Sequence, residues 1–288
     1  MPRPRTSTVD VGALRFTVDA AGPRGGPPVL FLHGFPQSRH AWTRQIEALS
    51  GAGFRCVAPD QRGYSAGARP CEPEAYGVPN LVGDALGLMD ALGCERFHLV
   101  GHDWGGQLAW LIAGCYAPER VLSLAVLSRP HPAAFARAMR EDAAQATRSA
   151  HHRAFQDADA AAKIRASGMA AFKRAFAAQG VPARTARAYL KVLGEHGALE
   201  AAIAWYRMAG ATSPKPEASS PIRQRTLYVW GDENATVGRL AAERTGEHVT
   251  GAYRFEVIRG GGHFLSDQFP HRVSKLLLDH LPAPAASR

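Results

Sequence analysis

The chain has 288 residues, 46% of them hydrophobic, so one large α/β domain or a core with an inserted piece is expected and disorder over most of the chain is excluded. The formal net charge is +9, from 34 Lys and Arg against 25 Asp and Glu, and all but five of the basic residues are Arg. These are scattered, with no stripe and no interleaved aromatics, which argues against a nucleic-acid groove and for a merely basic surface.

The N-terminal MPRPRTSTVD lacks an apolar h-region, and no apolar run reaches the roughly 18 residues of a membrane span. A soluble cytoplasmic protein is therefore expected. TVDVGALRFTVDAAG alternates around Gly12 and reads as a β-hairpin. PVLFLHG (28–34), FRCVAPD (54–60) and RFHLVGH (96–102) are continuous apolar runs, the pattern of strands buried on both faces. Between the last two, Leu81, Val82, Ala85, Leu88, Met89 and Leu92 recur at helical spacing, closed by Gly93. A helix over about 105–117 and a strand over VLSLAVLS (121–128) follow. This alternation predicts a largely parallel sheet. Residues 131–210 are rich in Ala and Arg, with helical spacing and no strand. TSPKPEASSP (212–221) reads as a linker, RTLYVWGDE (225–233) and YRFEVIRGGGH (253–263) as strands, and PHRVSKLLLDHL as a last helix. Among Cys56, Cys71, Cys94 and Cys115 there is no CxxC pair, so no zinc or disulfide framework is expected; Cys56 and Cys115 read as small buried hydrophobes.

GHDWGG (101–106) lies between a predicted strand and a predicted helix, the setting of a G-x-nucleophile-x-G elbow. The helix N-terminus there favours an anion, and the central residue is Asp103. By itself this could equally be an Asp capping a helix. Three further features weigh against that. HGFP (33–36), directly after a strand, can aim a backbone N–H at a reacting centre. His263, past the last strand in GGGHF, suits a general base. WGDENATV (230–237) follows the penultimate strand, where an acid that orients the His would come, and the order nucleophile, acid, His is that of hydrolase elbows. With no Ser or Cys in the elbow, serine-type ester or peptide hydrolysis is not expected.

These residues resemble the epoxide hydrolase branch of the α/β-hydrolase superfamily, which also contains haloalkane, haloacid and fluoroacetate dehalogenases. HGFPQSRHAW, DQRGYS (60–65), GHDWGG and GGGHF carry the resemblance, over roughly residues 8–282. It implies an α/β-hydrolase fold: a mostly parallel central sheet flanked by helices, a core of 1–130 and 221–288, and a helical cap inserted at 131–220. It also implies an oxyanion hole from the backbone N–H groups of Phe35 and Trp104. Asp103, already ionised, would open an epoxide and form an alkyl ester, which water activated by His263 would hydrolyse. The cap would supply the proton donor, usually two tyrosines. AAIAWYRM (201–208) nominates Tyr206. SAHHRAFQ (149–156) places His151 at the first-tyrosine position, with His152 one step away.

One departure from the family pattern stands out. After the penultimate strand the pattern is G-x-x-D-x-x-V, and here Asn234 occupies the acid position. Some relatives carry the acid after the strand at 121–128, but LSRPHP (127–132) has none. Asp232, two residues earlier, is the other candidate; undisturbed spacing to Val237 favours Asn234. The expected activity is addition of water to a small organic epoxide, without metal or other cofactor, and with no nucleic-acid or membrane partner; a homodimer is left open. A dehalogenase sharing Asp103 and His263 is the enzymatic alternative, with Trp104 as a halide donor. A haloacid enzyme would place Arg after the nucleophile, where this chain has Trp104, with Gln107 further on. The non-enzymatic alternative is an impaired hydrolase-fold binding protein, motivated by Asn234.

Overall fold

The computed structural model describes residues 3–214 and 221–282. Strands β1 (Arg5–Val11) and β2 (Leu14–Ala21) form an antiparallel hairpin that turns at Gly12, whose φ is 56°. Strands β3 (Pro28–Leu32), β4 (Arg55–Pro59), β5 (Phe97–His102), β6 (Val121–Leu127), β7 (Arg225–Gly231) and β8 (Tyr253–Ile258) complete one eight-stranded sheet in the order β1-β2-β4-β3-β5-β6-β7-β8. From β4 to β8 every neighbour is parallel. All six residues of β5 are buried, as a central strand covered on both faces must be. This is the α/β-hydrolase fold.

Helices α1 (Thr43–Gly51), α2 (Val78–Ala91) and α3 (Trp104–Leu111) lie between the early strands. The helix expected over about 105–117 ends as an α-helix at Leu111 and continues as one π-helical turn, Ile112–Tyr116. Between β6 and β7 the described residues form seven helices: α4 (Pro132–Glu141), α5 (Ala143–Arg148), α6 (Ala150–Ala154), α7 (Ala160–Ala166), α8 (Ala170–Ala178), α9 (Ala183–Gly194) and α10 (Ala198–Thr212). Of the linker expected over 212–221, residues 215–220 lie outside the described ones. Helices α11 (Arg239–Glu243), α12 (Leu265–Gln268) and α13 (Pro270–His280) close the fold, α13 packing on α1. Cys56 is buried, whereas Cys115 is only partly so.

Buried polar links tie the inserted helices to the sheet-bearing part. Trp205 Nε1 donates to the Arg62 carbonyl at 3.1 Å, and the Tyr189 hydroxyl donates to Asp267 at 2.9 Å. Gln145 holds the loop after β7 at two points, accepting from Gly238 N–H at 2.7 Å and donating to the Thr236 carbonyl at 2.9 Å. The insertion is thereby set over the C-terminal ends of the parallel strands, where open α/β sheets place their ligands. No described helix is long and apolar enough to cross a membrane.

Candidate active site

Asp103 sits between β5 and α3 with φ 50° and ψ −117°. A non-glycine residue in such a conformation stores of order 1–3 kcal/mol, which the surrounding packing must hold. The neighbouring glycines make that packing feasible: a Cβ on Gly105 would overlap the Leu32 carbonyl, and one on Gly101 would overlap Gly105. The turn therefore projects the Asp103 carboxylate beyond the sheet. The loop after β3 closes against it so tightly that a Cβ on Gly34 would strike the Asp103 side chain. From this loop the Phe35 N–H donates to Asp103 Oδ1 at 3.0 Å. Trp104 occupies the first position of α3 directly beside it, where a backbone N–H has no intrahelical partner.

His263 follows β8 and is 5% exposed. Its Nε2 lies 3.6 Å from Asp103 Oδ2, an ion-pair contact too long for a strong hydrogen bond. The backbone of His263 is pinned at both ends. Its N–H donates to Gln179 Oε1 at 2.7 Å, and its carbonyl accepts from Ser128 Oγ and His102 Nε2, each at 2.8 Å. Burial raises the affinity of Asp103 for a proton. The contact and charge of His263 outweigh this, with weaker help from His102 and Arg129, and hold the carboxyl far below the usual carboxylate range. Asp103 is thus ionised at any working pH.

Neither residue expected beside His263 touches it. Asp232 is exposed, and its Oδ1 accepts from Gly260 N–H at 2.7 Å, bracing the loops after β7 and β8. Asn234 is 1% exposed, but its Oδ1 is taken by Thr236 N–H at 2.9 Å, Val237 N–H at 3.1 Å and the Thr236 hydroxyl at 2.9 Å. A third residue stands between: Thr236 Oγ1 is 2.9 Å from His263 Nδ1. The proton positions follow by elimination. Two backbone donors identify the Asn234 atom as oxygen, so the Thr236 hydroxyl donates to it. Thr236 Oγ1 is then an acceptor towards the ring, and Nδ1 carries a proton. Thr236 has no counterpart among the expected site residues, because spacing to Val237 points to position 234 and a hydroxyl two residues later carries no motif signal.

Tyr206, on α10, is buried beside Trp104 and Phe35 at the Asp103 elbow. Its ring lies 5.0 Å from Trp104, 5.4 Å from Phe35 and 4.8 Å from Phe155, centroid to centroid. Burial, and then the charge of Asp103, push its hydroxyl well above the ordinary tyrosine value, so it is a proton donor at neutral pH. The rings of His151 and His152 lie 6.2 Å and 5.3 Å from it, and 4.5 Å from one another. His151 Nδ1 faces the Arg148 carbonyl at 3.2 Å. Burial lowers both imidazoles; for His152, with Arg129 and His151 adding to it, the value falls to about 3. The structure therefore brings Asp103, Phe35, Trp104, His263, Tyr206 and the His151–His152 pair to one place, with Asn234 one residue removed and Asp232 outside it. No group of three or more His, Cys, Asp or Glu side chains among the described residues could hold a metal ion.

The alpha/beta hydrolase fold family matches residues 27–270. Mouse epoxide hydrolase 4 is 34% identical over 274 residues, covering 92% of this chain and 75% of that protein. Epoxide hydrolase A of Mycobacterium tuberculosis is 30% identical over 317 residues, covering 98% of each. The chain belongs to the epoxide hydrolase branch of the α/β-hydrolase superfamily. A solved epoxide hydrolase of this superfamily, from metagenomes of hot environments, superposes with a TM-score of 0.87 at 27% identity, over 98% of this chain and 99% of that one. The superfamily places a nucleophile on the strand-to-helix elbow and its histidine past the last strand, the places held here by Asp103 and His263.

Proposed function

We propose that this protein is an epoxide hydrolase-like enzyme that adds water to an organic epoxide by way of a covalent ester on Asp103, beneath a cap formed by residues 131–220. The observation that carries this is an ionised carboxylate at a strained elbow, with a backbone N–H on one oxygen, a histidine on the other and a protonated tyrosine above. A carboxylate needs no base to attack an sp³ carbon. Asp103 forms a C–O bond to one oxirane carbon, the ring C–O bond breaks, and Tyr206, assisted by His151, gives its hydroxyl proton to the departing oxygen.

Hydrolysis then runs on the ester carbonyl, which belongs to Asp103. His263 Nε2 takes a proton from water, whose oxygen bonds to the Asp103 carboxyl carbon. The N–H groups of Phe35 and Trp104 hold the oxygen on which charge develops. Collapse of the adduct breaks its C–O bond to the substrate, the leaving alkoxide takes the second water proton from the adduct's hydroxyl to become the diol, and the proton held by His263 returns to the Tyr206 oxygen, leaving Asp103 ionised. Thr236, fixed by Asn234, keeps the ring in the tautomer this step requires. Asp232 acts only through the loop it braces. The test is a substrate screen with epoxides and organohalides, following diol and halide release, with Asp103→Asn as the control. Diol formation abolished by that substitution is expected; halide release without any diol would replace the epoxide reading with a dehalogenase one.

A further inference from the structure

Arg129 is a half-buried cation that no step of the proposed chemistry touches. Strand β6 ends at Leu127, and Ser128, with φ 56°, turns the chain while its hydroxyl holds the His263 carbonyl. The Arg129 side chain then runs back to α3. Its Nε and Nη2 both donate to Gln107 Oε1, at 3.0 and 2.9 Å. Its guanidinium carbon lies 4.4 Å over the ring of Phe135, which stacks on His152 at 6.2 Å. Gln107 accepts from Arg129 just past the Asp103 elbow, and His152 flanks Tyr206. The guanidinium is thus set in the wall between the nucleophile and the inserted helices. Like Asp103, His151 and His152, it is only half-buried.

Its partners do not match its charge. Among the described residues no carboxylate lies within 4.0 Å of it. A neutral amide oxygen and an aromatic face offset only part of the several kcal/mol that desolvating an ion costs. Burial lowers the pKa of Arg129, and the charge opposing this most is that of Asp103. Asp103 cannot serve throughout the reaction, because forming the ester neutralises it. Since Gln107 occupies the Nε edge, the edge shared by Nη1 and Nη2 keeps two parallel N–H bonds for a planar anion.

We propose that the substrate carries a carboxylate, which Arg129, held by Gln107, binds in bidentate fashion while the oxirane carbon meets Asp103. The substrate class is then an epoxy acid. The inference rests on the epoxide reading for the reacting group, but the anion site stands on Arg129 alone. The net charge of +9 adds a long-range attraction for such a substrate.

The test compares 3-phenylglycidate with its primary amide, by kcat/KM, in the wild type and in Arg129→Gln and Arg129→Lys. Calorimetric titration of unreactive phenylacetate against phenylacetamide runs in parallel. The wild type should favour the acid over the amide at least 10-fold. Arg129→Gln should abolish that preference and weaken phenylacetate binding at least 10-fold, with Arg129→Lys retaining part of both. Equal use of acid and amide by the wild type, a comparison that needs no variant to fold, overturns the proposal; so does a preference that survives in Arg129→Gln. Arg129-dependent phenylacetate binding without turnover of either epoxide upholds the anion site and removes the epoxide reading instead.

Discussion

In the proposed reaction Thr236 sets how well His263 works as a base. A carboxylate on Nδ1 would stabilise the imidazolium formed when water is deprotonated; a hydroxyl fixes the tautomer but supplies no charge. Ester hydrolysis should therefore be the slow half of the cycle, with the alkyl-enzyme accumulating. Thr236→Val keeps the shape and removes the acceptor, so hydrolysis should slow about 10- to 100-fold, the scale of general-base catalysis. Thr236→Ser should restore it, and the alkylation rate should not respond; single-turnover quench-flow separates the two steps. Asn234→Asp should accelerate hydrolysis, because the buried Nδ2 of Asn234 has no partner to lose and the new charge polarises Thr236. Tyr206→Phe should act on the other half, slowing ester formation by roughly 10²-fold, while His263→Gln should let the ester form and trap it. At this scale, motif positions were legible. Asp103, Phe35 and His263 stand where backbone geometry admits few alternatives, and each motif names its residue. Thr236, Gln179 and Ser128 were not legible, because each acts through a hydrogen bond across loops distant in sequence.

Among the links that hold the insertion to the core, one runs through a buried carboxyl, whereas the carboxylates of the Arg69–Glu195 and Arg244–Glu141 pairs are exposed. Asp267 on α12 accepts from Tyr189 on α9 and from Gln37 Nε2 in the loop that carries Phe35, each at 2.9 Å. Burial pushes its carboxyl up to about 7, and the two donors only partly oppose this. A carboxyl whose pKa is raised on folding binds its proton more tightly in the folded state. Its stabilising contribution is complete below the unfolded value near 4 and is lost as pH rises through about 7. Between pH 5 and 8 the melting temperature of the wild type should thus fall by a few degrees relative to that of Asp267→Asn; the buried histidines, whose pKa values burial lowers, act in the opposite sense but equally in both proteins. An unchanged slope in a thermal-melt series would show that the link does not carry it. Strands were legible at this scale because continuous apolar runs bounded by turn residues leave little choice. Helix α1 escaped notice because it buries polar side chains: Gln45 is fully buried and reaches the carbonyls of Ser266 and Pro270. The breaks within 131–212 were equally hidden, since they fall at Met169 and Gly197 in left-handed conformation and at Asp142 as an N-cap.

Across the whole molecule, the site draws on segments near residues 35, 103, 206, 236 and 263, brought together only by the parallel sheet and the helices laid over its C-terminal edge. Strand and helix alternation is enough to predict that sheet, but not its order β1-β2-β4-β3-β5-β6-β7-β8. Periodicity reports which faces are buried and is blind to which strands are neighbours, so the order was not legible in the sequence. In the proposed reaction the enzyme, not water, attacks the substrate first. One turnover in heavy-oxygen water, with enzyme in excess over a terminal epoxide, followed by mass spectrometry of the peptide that contains Asp103, measures this directly. The account predicts heavy oxygen in Asp103 and ordinary oxygen in the first diol released; heavy oxygen in that diol, with Asp103 unlabelled, would contradict it.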